Sequence, residues 1–120
     1  MRGGPHDLLT ALARGLAADR VASLRFDFRG RGDSEGNGLN VTLADMAEDG
    51  LAAAALLRQR SGATRLVLGG LCSGGNGGIG MLDRLPDAAG LFLLSVYPFG
   101  DGDSFRRDAR RSANLVRDYA

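Results

Sequence analysis

One short segment of the chain carries residue types suited to nucleophilic chemistry, Gly70-Leu71-Cys72-Ser73-Gly74. It follows the apolar run Leu66–Leu68 and precedes further glycines, so we expect a tight turn from a strand into a helix. Glycines on either side would let strand and helix pack closely while Cys72 takes a strained backbone conformation. Its sulfur would then point out of the turn, at a helix start that favours the thiolate. The pattern predicts a reactive thiol.

The residue after the cysteine contributes a second group. The backbone N–H of Ser73 is placed to donate a hydrogen bond to the oxyanion formed when a nucleophile attacks a carbonyl. A glycine-rich turn around a buried, inert cysteine is the alternative interpretation of the same segment. Cys72 is the only cysteine of the chain, which excludes an internal disulfide and a metal site of several thiolates. We predict neither a metal nor a cofactor.

A second motif lies upstream, Asp27-Phe28-Arg29-Gly30-Arg31-Gly32-Asp33-Ser34. This D-x-R-G-x-G-x-S loop, followed at this distance by Gly-Leu-Cys-Ser-Gly, resembles the α/β-hydrolase superfamily and, more narrowly, exosortase-system-associated and serine-aminopeptidase-like hydrolases. The resemblance implies a nucleophile elbow with Cys72 as the catalytic residue and Gly70 and Gly74 as the elbow glycines. It also implies an acyl hydrolase acting on a small ester, thioester or amide substrate. Most relatives have serine at this position, but a thiol is a sound nucleophile.

The chain departs from the family pattern in its general base. The family order is nucleophile, acid and then histidine, yet the only histidine is His6, which we interpret as a surface or capping residue. Asp101 and Asp103 could imitate the acid, although a polar Gly-Asp loop explains them better. The missing acid and base would come from sequence beyond Ala120. Otherwise the chain is a truncated, non-catalytic hydrolase-like domain that acts through association.

A further departure concerns the sheet. The resemblance implies a strand and an oxyanion loop before the first helix, where only Met1–Pro5 stand. In the family that strand lies between the fourth and fifth strands, which correspond to Val21–Asp27 and Leu66–Gly69. Unpaired N–H and C=O groups along two parallel strands are costly if buried. We therefore expect direct pairing or a strand from elsewhere, with marginal stability, self-association or a missing partner segment.

Apolar periodicity places the elements that must position these motifs. Helices are predicted at Asp7–Ala18 (Pro5 at its start and Asp7 near its cap), at Thr42–Ser61 (Asp45 completing a capping box), at Gly75–Arg84 and at Ser104–Tyr119. Strands are predicted at Val21–Asp27, Arg65–Gly69 and Ala89–Val96. This alternation predicts an α/β fold with three layers, α-β-α, and a mostly parallel sheet of about three strands. By the resemblance these are family strands four to six.

Bulk properties bound the remaining possibilities. The 120 residues, 44% hydrophobic and 24% charged, allow one soluble domain, 1–120, in which about 101–120 begin a lid or C-terminal helix. The net charge of +1 is too small for nucleic-acid binding. No apolar stretch approaches the roughly 20 residues of a membrane span, and the N-terminus lacks a signal-peptide pattern. We expect a cytoplasmic protein.

Overall fold

The structure, a computed structural model, describes residues 5–96; the predicted tail helix and Asp101 and Asp103 lie outside this range. The described residues form a mixed α/β fold with three α-helices and one two-stranded parallel sheet. The helices are α1 (Leu8–Ala18), α2 (Leu43–Ser61) and α3 (Ser73–Ile79), and the strands are β1 (Leu66–Leu71) and β2 (Ala88–Leu94). Three 3-10 turns, Pro5–Asp7, Gly38–Asn40 and Leu82–Arg84, complete the regular structure of this part of the chain.

The long helix α2 begins and ends where its local sequence predicts. The Thr42 hydroxyl accepts a hydrogen bond from the Asp45 N–H (3.1 Å), and the Asp45 carboxylate accepts one from the Thr42 N–H (2.9 Å). At the other end Gly62 has a left-handed φ of 71° and donates its N–H to the Arg58 carbonyl. The predicted capping box is therefore confirmed, and it fixes the direction in which α2 leaves the preceding loop.

The first helix differs from the prediction at its start. Pro5 opens a 3-10 turn rather than α1, and Asp7 occupies the N-cap with a φ of 57° and no side-chain capping hydrogen bond. A left-handed Asp7 follows a left-handed His6 (φ 50°), so the chain kinks before α1 begins. No residue of α1 is buried, and α1 packs mainly against this turn rather than against the sheet.

The two strands carry helices on one face. Residues 66, 68 and 70 of β1 point towards α2 and α3, and the core consists of Ala47, Ala54, Leu66, Met81 and Leu85. On the opposite face Val67 is 66% exposed and Phe92 is 38% exposed, with the Phe92 ring lying across Gly69. Within residues 5–96 the sheet is thus covered on one side, and the predicted third layer is not formed.

The segment Val21–Asp27 is not a strand, contrary to the prediction, and it joins no sheet in the described chain. Instead Arg25 Nη1 donates a hydrogen bond to Thr10 Oγ1 (2.8 Å), which ties the segment to α1. Of the two alternatives expected, direct pairing with β1 or a strand from elsewhere, direct pairing does not occur within residues 5–96. Alternating apolar residues favour a strand only where a neighbouring strand satisfies the backbone N–H and C=O groups, and this segment lacks that neighbour.

The remaining elements lie where predicted, with different bounds. β1 extends to Leu71, two residues beyond the predicted end at Gly69, and β2 ends at Leu94, two residues before the predicted end, because Ser95 takes a left-handed φ of 52°. The predicted helix Gly75–Arg84 is divided into α3 and the separate 3-10 turn Leu82–Arg84. No helix within residues 5–96 combines the length and apolar character that crossing a bilayer requires.

Candidate active site

Cys72 is the single residue between β1 and α3, and its backbone conformation is unusual. Its φ of 54° and ψ of −123° lie in a region that residues with a Cβ rarely occupy. The Cys72 N–H donates to the Leu94 carbonyl (2.8 Å), and the Cys72 carbonyl accepts from the Gly75 N–H (3.1 Å). Such a conformation costs about 1–3 kcal/mol and persists only where its surroundings fix it. Here β2 and α3 hold it from two sides, and the cysteine is exposed.

Two glycines allow the strand and the helix to approach this closely. A Cβ on Gly70 would lie 2.3 Å from the Cα and N atoms of Gly75. A Cβ on Gly75 would lie 2.5 Å from Val96 Cγ2 and 3.1 Å from Leu93 Cδ2. A Cβ on Gly74, by contrast, would meet only the Phe28 ring at an ordinary 3.7 Å. Gly75 is therefore the close-packed partner of Gly70, a role that the sequence pattern did not assign to it.

Ser73 lies beside the thiol as the first residue of α3, and it is exposed. Because an α-helix pairs each N–H with a carbonyl four residues earlier, the N–H of its first residue has no acceptor within the helix. This N–H lies in the residue next to Cys72. Nowhere in residues 5–96 do three or more metal-ligating side chains gather.

The upstream motif forms a compact loop. The Ser34 hydroxyl donates to the Asp27 carbonyl (2.7 Å), and the Asp33 N–H donates to Asp27 Oδ2 (3.2 Å). Gly30 has a φ of 65°, and a Cβ there would lie 2.3 Å from the backbone N of Gly38. Glycine is required at this position both for the left-handed φ and for the close approach of Gly38. The absence of a side chain at Gly30 allows the two ends of the loop, residues 27–38, to contact each other.

Arg29 fastens this loop to α2. Its Nε and Nη2 donate to Asp49 Oδ1 (2.9 and 2.6 Å), its backbone N–H donates to Asp49 Oδ2 (2.8 Å), and its Nη1 reaches Asp45 Oδ1 (3.2 Å). The side-chain hydrogen bond from Arg29 lowers the pKa of Asp49, and the same bond raises the pKa of Arg29. Hydrogen bonds from the backbone and side chain of Thr42 lower the pKa of Asp45, with a smaller contribution from Arg29.

Phe28 brings the two motifs together. Its ring lies against α3, where added methyl groups on Gly74 and Gly77 would be 3.7 and 3.1 Å away. The Phe26 ring packs edge-on against it, with centroids 5.0 Å apart and planes at 77°. The loop therefore contacts the helix that begins immediately after Cys72. Spacing in the sequence indicated that the motifs belong together, but it did not identify Phe28 as their contact.

Other candidate residues are not brought to the thiol. His6 is exposed in the turn before α1, and no hydrogen bond within residues 5–96 joins it to Cys72. A shallow groove of about 390 Å³ lies between residues 24–29 and α2, lined by apolar side chains such as Leu24, Phe26 and Leu56. Cys72 does not line this groove. Within the described chain, the site thus consists of the turn itself and the loop that packs behind it.

Comparison of the chain with protein-family models, with curated proteins and with solved structures gives no match. The fold is described by its own elements, a two-stranded parallel sheet with three helices. The features of this fold that bear on function are the geometry at Cys72 and the loop that supports it.

Proposed function

We propose that the chain is a partial α/β-hydrolase domain whose Cys72 performs acyl chemistry on small esters, thioesters or amides. The observation that supports this most directly is the backbone at Cys72, a strained residue between a parallel strand and a helix, with an exposed side chain. A relaxed connection would suffice if the cysteine only filled space. Strain retained at an exposed nucleophile is the arrangement that a nucleophile elbow requires.

The proposed reaction begins with the thiolate of Cys72 attacking the carbonyl carbon of the substrate. A C–S bond forms, the carbonyl π electrons move to oxygen, and the Ser73 N–H donates a hydrogen bond to the resulting oxyanion. Collapse of this intermediate breaks the bond to the alkoxide, thiolate or amine, which takes a proton from solvent as it leaves. Water then attacks the thioester and loses one proton to solvent, and the C–S bond breaks, releasing the carboxylic acid and returning the electron pair to sulfur.

The loop and the element order support the same proposal. β1, Cys72, α3 and β2 follow one another as a strand, turn, helix and parallel strand, which is the order around the nucleophile in the proposed family. The D-x-R-G-x-G-x-S loop packs behind that helix through Phe28. In this proposal β1 and β2 are family strands five and six, and residues 21–27 take the place of strand four.

The expected kinetics depend on deacylation, the hydrolysis of the acyl-enzyme. Water must lose a proton as it attacks the thioester, and among the described side chains none is hydrogen-bonded to Cys72. We therefore expect the acyl-enzyme to form faster than it hydrolyses. A p-nitrophenyl ester should release one equivalent of nitrophenol in a burst, followed by slow turnover, and the protein mass should rise by one acyl group at Cys72.

The test compares the burst in matched proteins at pH 7. The burst rate constant of the wild type should exceed that of the urea-denatured chain and of free cysteine, because only the folded turn supplies the Ser73 N–H. Cys72→Ser and Cys72→Ala should both abolish the burst, because a serine hydroxyl without a general base is not ionised at pH 7. Ser73→Ala keeps the backbone N–H and should react like the wild type. An equal burst from the folded and denatured chains would refute an elbow function for Cys72.

The uncovered sheet face favours a second candidate, a hydrolase-like domain that acts by association. Val67 and Phe92 share this face with Leu94, which is 39% exposed, and no described helix lies over them. Contiguous apolar patches of this kind mark interaction surfaces. Sedimentation velocity across protein concentrations distinguishes the two candidate functions. A function by association requires a dimer or larger species, which Val67→Lys should dissociate. It does not require acylation at Cys72.

A further inference from the structure

The loop of residues 27–38 is connected to the turn at Cys72 by a short chain of contacts. Asp49 of α2 accepts hydrogen bonds from both the backbone and the guanidinium of Arg29, so it fixes the main chain at that residue as well as its side chain. The peptide plane that Phe28 shares with Arg29 is thereby held in place. Because consecutive residues share a peptide plane, anchoring Arg29 also anchors the start of the Phe28 side chain.

The Phe28 ring presses on α3 in its first two turns. A Cβ on Gly77 would meet the ring tip at 3.1 Å and the Met46 side chain of α2 at 3.3 Å, so Phe28 and Met46 lie against the same face of α3. The carbonyl of Cys72 accepts the Gly75 N–H within that same first turn. The ring therefore contacts the same turn of α3 that fixes the backbone of Cys72.

We propose that Arg29 is a positioning residue for the Cys72 thiol, acting through Phe28 and α3 to keep the strained turn in place. Arg29 touches neither the thiol nor a substrate bound to it. Its catalytic consequence rests on the proposed function, but the positioning itself is a property of the folded chain. When the Arg29–Asp49 contact is lost, the ring loosens, the turn relaxes, and the sulfur is presented to solvent less well.

A purely local role gives a different expectation. If Arg29 only stabilised its own loop, its removal would lower the melting temperature while leaving the chemistry of the folded thiol unchanged. The informative quantity is thus the rate constant of the Cys72 thiolate with iodoacetamide. This rate constant is taken from the plateau of the pH–rate profile at 10 °C. Circular dichroism checks that each variant is folded at that temperature. Melting temperatures are recorded in parallel.

The experiment is a double-mutant cycle between Arg29→Gln and Phe28→Leu. Each single variant should slow the plateau rate about five-fold, and the double variant should be no slower than the singles, because both changes interrupt one path. Arg29→Lys retains the charge but cannot donate hydrogen bonds from two nitrogens to Asp49, so it should slow the plateau rate about two-fold. This conservative variant provides the test if Arg29→Gln does not fold. Arg58→Gln removes another α2 ion pair, to Asp87, and should leave the rate unchanged.

Each outcome supports or overturns the inference. Unchanged plateau rates in Arg29→Gln and Arg29→Lys, or independent effects that multiply in the double variant, would overturn it. A five-fold, non-additive loss supports it. Should the wild type show no ester burst while the alkylation rates behave as expected, the proposed hydrolase function fails and the positioning role stands. A burst with unchanged alkylation rates in the variants supports the hydrolase function and overturns the positioning role.

Discussion

Gly70→Ala is the substitution that tests the geometry of the turn most severely. The new Cβ would lie 2.3 Å from the Cα and N of Gly75 and 2.6 Å from the carbonyl carbon of Gly74. These are backbone atoms, so no side-chain rotation can relieve the overlap, and β1 must separate from α3. Overpacking of this kind costs about 3 kcal/mol. With an unfolding entropy near 2.1 cal/mol/K per residue, that corresponds to a melting temperature lower by about 12 °C.

Gly74→Ala is the matched control, because it adds the same methyl group four residues later where only the Phe28 ring lies nearby, at 3.7 Å. Within a helix this exchange should be neutral or raise the free energy of unfolding by up to about 1 kcal/mol. Thermal melts followed by circular dichroism measure both variants, with iodoacetamide labelling of Cys72 as a second readout. If Gly70→Ala melted within about 3 °C of Gly74→Ala, the strand and helix would not approach as closely as described.

Three further changes test other parts of the fold. Thr42→Ala removes the hydroxyl that caps α2 and should lower the free energy of unfolding by about 1 kcal/mol in urea titrations; an effect below about 0.3 kcal/mol would contradict the capping role. Gly15→Ala fills open space in α1 and should raise the free energy of unfolding by about 1 kcal/mol in the same titration. A lower free energy of unfolding would show that another segment packs against α1 at Gly15. The pKa of Asp49 is lower in the folded chain than in the unfolded one. Its stabilisation is therefore complete above the unfolded pKa of about 3.9 and is lost as pH falls through the folded pKa. Urea titrations from pH 6 to pH 2.5 should show a smaller acid-induced loss in Asp49→Asn, and parallel curves would refute this assignment.

Local signals in the sequence predict the ends of α2 well, the ends of the other helices less well, and the sheet only in part. The capping box at Thr42 and Asp45 lies within four residues, so its hydrogen bonds need no distant partner, and α2 begins as predicted. The apolar runs of β1 and β2 pair with each other, and both were predicted. Val21–Asp27 has a similar pattern but no neighbouring strand among residues 5–96, and sequence periodicity cannot indicate whether such a neighbour is present.

The candidate site also combines features that the local sequence predicts with features that depend on contacts distant in sequence. The strained turn at Cys72 follows from small residues placed between a strand and a helix, which is a local property that the spacing predicts. The close-packed pair Gly70 and Gly75 depends on which side of α3 faces β1, and with adjacent glycines at positions 74 and 75 the sequence does not distinguish them. The contact through Phe28 depends on the path of the loop in three dimensions. Assignment of Cys72 as a nucleophile stays a prediction.

One helix, α2, is the common attachment point for segments that lie far apart along the chain. Asp45 and Asp49 bind Arg29 of the loop, Glu48 binds Arg84 after α3, and Arg58 binds Asp87 before β2. Individually, such partly exposed pairs contribute little. Because all three attachments lie on α2, we expect one local opening of this helix to release them together. Amide hydrogens in the loop and in β2 should consequently exchange with solvent at similar opening free energies, although the two regions lie far apart along the chain.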